Sequence, residues 1–107
     1  MDYNISTSFL ANADFFQICE SLKEYGKTPV EIFVESFEKF IDNVTAMPSM
    51  YPQYRNTKYR KAVIEYNYIV FYKLDKKEKM VKVCRILNGK QNIDNLLQSQ
   101  GFGEHTW

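Results

Sequence analysis

Between residues 59 and 89 the chain alternates β-branched and aromatic residues with polar ones. Polar breaks fall at Glu65-Tyr66-Asn67 and Asp75-Lys76-Lys77-Glu78-Lys79. A period of two sends successive side chains to opposite faces, and the breaks divide the stretch into the three strands of a meander. In the middle run Tyr68, Val70, Tyr72 and Leu74 share one face and Ile69, Phe71 and Lys73 the other, so this strand reads as central and buried on both sides. In the third run Val81, Val83, Arg85 and Leu87 share a face. Arg85 therefore interrupts an apolar row and needs a partner, a solvent opening or a ligand. Arg60, at the start of the first run, could lie beside Arg85 on a concave sheet surface. Two guanidiniums there are favourable when an anion such as phosphate arrives and repel when it is absent. The plainer alternative is that each pairs with a carboxylate from the acidic helices.

The preceding half carries helical periods. After a weak alternation of Tyr3, Ile5 and Thr7 that reads as a short strand, Ala11, Phe15, Ile18 and Leu22 mark an amphipathic helix from about residue 8 or 9 to residue 25. Gly26 is placed to end it in a left-handed conformation. Thr28-Pro29-Val30-Glu31 then reads as a cap, a first-position proline and a capping-box glutamate. Phe33, Phe37, Phe40, Ile41 and Val44 line one side of this second helix, Glu31, Glu35, Glu38 and Asp42 occupy much of the rest, and Pro48 stops it. Two antiparallel helices need a surface to cover, and the meander is the large candidate. The expected class is α+β, in the order β-α-α-β-β-β, with a helical hairpin on a mainly antiparallel four-stranded sheet. Residues 1–97 form one domain, and Ile93, Leu96 and Leu97 suggest a short C-terminal helix or turn before a tail over residues 98–107. Residues 49–58 read as a loop bringing Tyr51, Tyr54 and Arg55 near the sheet edge, either to stack on bases and hold phosphates or to pack back as a cover.

Charge is divided between these halves. Residues 1–50 carry three lysines against eight acidic residues, net −5. Residues 51–107 carry eleven basic against five acidic residues, net +6. A basic sheet beside an acidic helical layer suits nucleic acid or an acidic protein segment as partner, although lysine-rich turns such as Lys76, Lys77 and Lys79 are commonly just solvated. Cys19 and Cys84 sit in apolar runs without metal-ligand spacing and read as reduced, buried thiols. No run is long enough for a membrane span and no signal-peptide pattern opens the chain, so the expected location is the cytoplasm, with no membrane partner. No glycine-rich phosphate loop, nucleophile-base pair or metal cluster supports a small-molecule enzyme, and no cofactor is expected.

Several motifs in order carry a resemblance. Ala11-x-x-Asp14-Phe15-x-x-Ile18, a long second helix ending near Pro48, Tyr59-Arg60-Lys61, Asn67-Tyr68-x-Val70-Phe71-Tyr72 and Arg85-Ile86-Leu87-Asn88-Gly89-x-Gln91-Asn92 together resemble the RelE/ParE superfamily of bacterial toxins, of the plasmid-stabilisation type, over roughly residues 3–97. The resemblance implies the toxin of a type II toxin-antitoxin pair, inhibiting growth until a cognate antitoxin wraps its groove and sheet. It also implies one of two activities: poisoning of DNA gyrase, or ribosome-dependent cleavage of messenger RNA.

Cleavage by 2'-hydroxyl attack needs a base, an acid for the leaving oxygen and cations on the phosphate. If the chain is a nuclease, Arg60 and Arg85 are the candidate phosphate clamps, and Lys58, Lys90, Tyr54 or Tyr59 must exchange the protons. Asn88 stands where similar toxins often carry His, His105 lies in the terminal tail, and no tyrosine after Gly89 matches the nuclease pattern. For either target, Arg55, Arg60, Lys82 and Arg85 are the expected contacts. The missing acid-base residues tilt the reading towards the gyrase-directed, ParE-like mode. The RelE-like nuclease is the alternative, and an inactive interaction module on the same fold is the third reading.

Overall fold

The structure, a computed structural model, describes residues 2–91 and Ile93. The chain runs β1 (Asn4–Thr7), α1 (Phe9–Leu22), a 3₁₀ turn (Lys23–Tyr25), α2 (Lys27–Ala46), β2 (Arg60–Ile64), a second tight turn (Glu65–Asn67), β3 (Tyr68–Asp75) and β4 (Met80–Asn88). The sheet order is β1-β4-β3-β2. β1 runs parallel to β4, and the other two pairings are antiparallel. This is the expected α+β arrangement, with two helices on a four-stranded mixed sheet. The expected short C-terminal helix and the tail fall outside the described residues except at Ile93.

Each helix is anchored by its entry. Ser8 caps α1, its Oγ accepting the Ala11 N–H at 3.0 Å while donating to the Cys84 carbonyl at 2.8 Å, so one hydroxyl starts the helix and ties it to β4. The Thr28 capping box does not form. Gly26 is the N-cap, without a side-chain bond, and α2 begins at Lys27, leaving Thr28 and Pro29 inside the first turn. Proline is tolerated there because first-turn N–H groups lack helical partners anyway. Gly26 has φ 107° and ψ −179°, a positive-φ conformation that favours glycine but is not the left-handed helical one expected.

Phe33, Phe37, Phe40 and Val44 of α2 and Ala11, Ile18 and Leu22 of α1 bury against Ala62, Val70, Tyr72, Val81, Val83 and Ile86 of the sheet. Aromatic rings stitch the layers: Phe40 meets Tyr72 edge-on at 5.7 Å, and Phe33 meets Tyr68 at 5.4 Å. The fully buried Tyr72 hydroxyl donates to the Pro48 carbonyl at 2.9 Å, and burial pushes its pKa up to about 12. On the other face Tyr54, Ile69, Phe71 and Leu87 form a smaller cluster with Ile93 against it. β3 is thus central and buried on both faces, as its alternation requires.

β4 departs from simple alternation. Phe71 pairs with Arg85 and Tyr72 with Val83, so Cys84 is one residue too many. Val81 and Val83 face the helices, whereas Leu87 joins the opposite cluster and Ile86 takes its place in the main core. The expected shared face of Val81, Val83, Arg85 and Leu87 is therefore corrected by a β-bulge, which breaks the period of two between Val83 and Arg85.

The turn after β2 places Tyr66 (φ 60°) and Asn67 (φ 63°) in left-handed conformations. The Gly89 N–H donates to the Asn67 carbonyl at 3.0 Å, and a Cβ on Gly89 would lie 2.7 Å from Asn67 Nδ2. A Cβ there would press on the Asn67 side-chain amide and, at 3.2 Å, on the Asn67 carbonyl, so the tight approach favours glycine.

Candidate functional site

The two arginines do not meet. Arg60 pairs across strands with Tyr72, and its Nη1 donates to the Tyr51 carbonyl at 2.6 Å and the Ser49 carbonyl at 3.5 Å, so it fastens the loop onto the edge strand. Arg85 pairs with Phe71, whose side chain leaves β3 on the opposite face from Tyr72. Its Nε and Nη2 bond the two carboxylate oxygens of Asp14 at 2.8 and 3.0 Å, and Asp14 Oδ2 also accepts the Ile86 N–H at 2.9 Å. A bidentate ion pair with Arg85 only 9% exposed is firmly held. The shared phosphate clamp on one concave surface is therefore corrected. Arg85 has the carboxylate partner offered as its plainer reading, while Arg60 holds backbone carbonyls.

The sheet face opposite the helices gathers other cations. Cross-strand pairing puts Lys61 opposite Phe71 and Lys73 opposite Lys82, all on this side. Lys58, Lys73, Leu74, Asp75, Lys76 and Lys82 line a cleft of about 430 Å3. Within it Lys82 Nζ lies 3.5 Å from Asp75. The Asp75 carboxyl is held below its usual range first by the Glu78 N–H and then by Lys82. Lys61 and Lys73 were not singled out as site residues, although strand parity places both on the Phe71 face.

The tyrosines of this region serve as floor. Tyr54 is 8% exposed, edge-on to Phe71 at 5.1 Å, with the Arg55 guanidinium 5.2 Å and Lys61 Nζ 5.9 Å from its ring centre. Tyr59 is 3% exposed beneath Lys73, 5.8 Å from its ring centre. Rings already covered by cations offer no face for a base to stack on, so the loop packs back as a cover. At the end of β4 the Asn88 side chain is committed to the turn, with Oδ1 accepting the Lys90 N–H at 2.9 Å. The Cys84 thiol is buried and pushed up to about 12 by desolvation, which leaves it a poor nucleophile. Among the described residues no group of His, Cys, Asp and Glu is placed to hold a metal, and no helix is long and apolar enough to cross a membrane.

The candidate site is thus a lysine-lined cleft on the open sheet face, set over buried tyrosines, with Arg55 over the Tyr54 ring and Arg85 paired with Asp14 at the strand edge. A family model described as the ParE toxin of type II toxin-antitoxin system, parDE, matches residues 5–93. No curated protein matches the sequence. Solved structures share the fold. A mutant of the E. coli toxin RelE in the free state is 14% identical at a TM-score of 0.70, covering 94% of this chain and 98% of that one. The intact E. coli RelBE toxin-antitoxin complex gives 14% and 0.63, covering 83% and 99%. The RelBE2 toxin-antitoxin complex of Mycobacterium tuberculosis gives 13% and 0.61, covering 82% and 99%.

Proposed function

We propose that this chain, which belongs to the ParE toxin family of type II toxin-antitoxin systems, arrests growth by binding its target in a gyrase-directed mode rather than by cutting RNA. The observation that carries this reading is that the two-arginine phosphate clamp does not assemble: Arg85 holds Asp14 at the strand edge, while Arg60 holds the Tyr51 carbonyl on the other side of the sheet. The proton-transfer candidates support it as well. Tyr54 lies beneath two cations, and Asn88 holds a turn and cannot exchange a proton at neutral pH. Arg55, Lys58, Lys61, Lys73 and Lys82 remain as the surface for an acidic target or for an antitoxin segment. The solved RelBE complexes, which carry an antitoxin with a toxin of this fold, support a cognate antitoxin here.

The lysine cleft favours a second reading, the RelE-like nuclease, because four amines around one opening suit a phosphate. In that case Lys58, which lines the cleft, is the candidate for the proton transfers. The test is direct. Expressed alone in a bacterial host, the chain should arrest growth, and the antitoxin frame encoded beside it should restore growth. Purified protein should inhibit gyrase supercoiling and leave messenger RNA on translating ribosomes intact. Cleavage of that RNA with supercoiling untouched overturns the reading in favour of the nuclease. Absence of any arrest overturns it in favour of an inactive interaction module.

A further inference from the structure

Between the second half of α1 and the end of β4 lies a cavity of about 390 Å3, whose lining includes Gln17, Ser21, Tyr68, Arg85, Asn88 and Gln91. β1 pairs with β4 only as far as Val83, so this part of the strand edge meets side chains instead of another strand. Asp14 also lines the cavity, but its carboxylate is spent on three donors: Arg85 Nε, Arg85 Nη2 and the Ile86 N–H. That bidentate contact uses one edge of the guanidinium. The remaining nitrogen, Nη1, is buried and has no hydrogen-bond partner among the described residues. A buried cationic donor left unpaired is costly, and it is the feature here that calls for an acceptor.

Two side-chain amides point to the same chemistry. Gln91 Oε1 accepts the Asn88 N–H at 2.8 Å and Asn88 Oδ1 accepts the Lys90 N–H at 2.9 Å, so each oxygen is engaged and each NH2 is the group left to donate. The cavity is therefore donor-rich, and its carboxylate is balanced by its guanidinium. A water takes about 30 Å3, so the volume holds a carboxylate or phosphate group with its adjoining atoms and is far too small for a helix.

We propose that this cavity is an oxyanion site, taking a carboxylate or phosphate group on the second edge of Arg85 and the amides of Asn88 and Gln91. The guanidinium then bridges two anions, Asp14 on one edge and the ligand on the other, a geometry that its planar fork allows and an ammonium does not. The site is separate from the lysine cleft and does not depend on whether gyrase or RNA is the target.

The experiment titrates the full chain, labelled with 15N, with inorganic phosphate and with acetate against chloride at constant ionic strength. It follows the Arg85 Nε–H and the NH2 signals of Asn88 and Gln91. Saturable shifts in these signals are expected. Phosphate acting alone assigns the site to phosphate groups, and acetate acting alone assigns it to carboxylates. Arg85→Lys, which keeps a charge facing Asp14 but has no second edge, should abolish the response while melting cooperatively. If that variant does not fold, Gln91→Glu at an exposed position, which keeps an acceptor for the Asn88 N–H but replaces the NH2 with an oxygen, should weaken the affinity at least about two- to tenfold. Shifts that rise linearly with concentration, or that are confined to Lys58, Lys73 and Lys82, overturn the proposal. An unaltered response in the folded variant does the same.

Discussion

The two faces of the sheet draw on the same central strand and bury it by different means. On one side Val70 and Tyr72 lie under two helices, in a layer of interlocked aromatic rings. On the other, Ile69 and Phe71 lie under Tyr54, Leu87 and Ile93, with the cations of Arg55, Lys61 and Lys73 laid over the tyrosines. Both covers exclude water from β3. The first is a packed core whose loss leaves a cavity, and the second ends in long charged side chains that a partner can displace without opening one. A fold built this way can give up the surface of one face to recognition while its stability resides in the other.

The contrast can be broken first at its strongest point. Phe40→Ala removes a ring packed against Phe37, Tyr51 and Tyr72 and should cost about 3–5 kcal/mol in denaturant unfolding. A loss comparable to an exposed substitution would mean that the helical layer is not the source of stability. Asp14→Ala comes next. It leaves the largely buried Arg85 guanidinium and the Ile86 N–H without their acceptor, for about 3 kcal/mol, and it tests whether the strand edge belongs with the core.

Tyr72 supplies a pH window. Its hydroxyl is raised from 10.0 to about 12, so its contribution is fully present below pH 10 and is lost as pH rises from 10 towards 12. Urea melts across that range should show the loss in the parent chain and a smaller one in Tyr72→Phe. Smallest in stability is the triple change of Lys58, Lys73 and Lys82 to Gln, expected within about 0.5 kcal/mol per site of the parent. The same variant should lose most of its growth arrest, and a variant that unfolds instead would show that the open face is structural.

Much of this was legible from spacing alone. The alternation of β3 placed Val70 and Tyr72 against Ile69 and Phe71, and the helical stripe of Phe33, Phe37, Phe40 and Val44 identified the buried side of α2. What escaped has local causes. Cys84 is as compatible with a regular strand as with a bulge, so nothing in its identity announced that Arg85 would leave the row of Val81 and Val83. The Thr28-Pro29-Glu31 signal was overruled by Gly26, whose positive φ starts the helix two residues earlier than a threonine cap would. The pairing of Arg85 with Asp14 joins residues 71 apart in the chain, a distance at which periodicity carries no information. Lys61 and Lys73 needed only the parity already in hand, read for charge as well as for apolar residues.

The extra residue in β4 also bears on how this chain can change in length. Removing Cys84 would let the strand run regularly while Val83 and Ile86 kept to the helices and Arg85 and Leu87 to the open face, because the bulge already places two residues where one would serve. The bend and added twist would go with it, and with them the approach of Arg85 to Asp14. A single-codon deletion there would thus spare the sorting of side chains and remove the clasp. The same deletion at the midpoint of β3, which has no spare residue, would turn half the strand inside out.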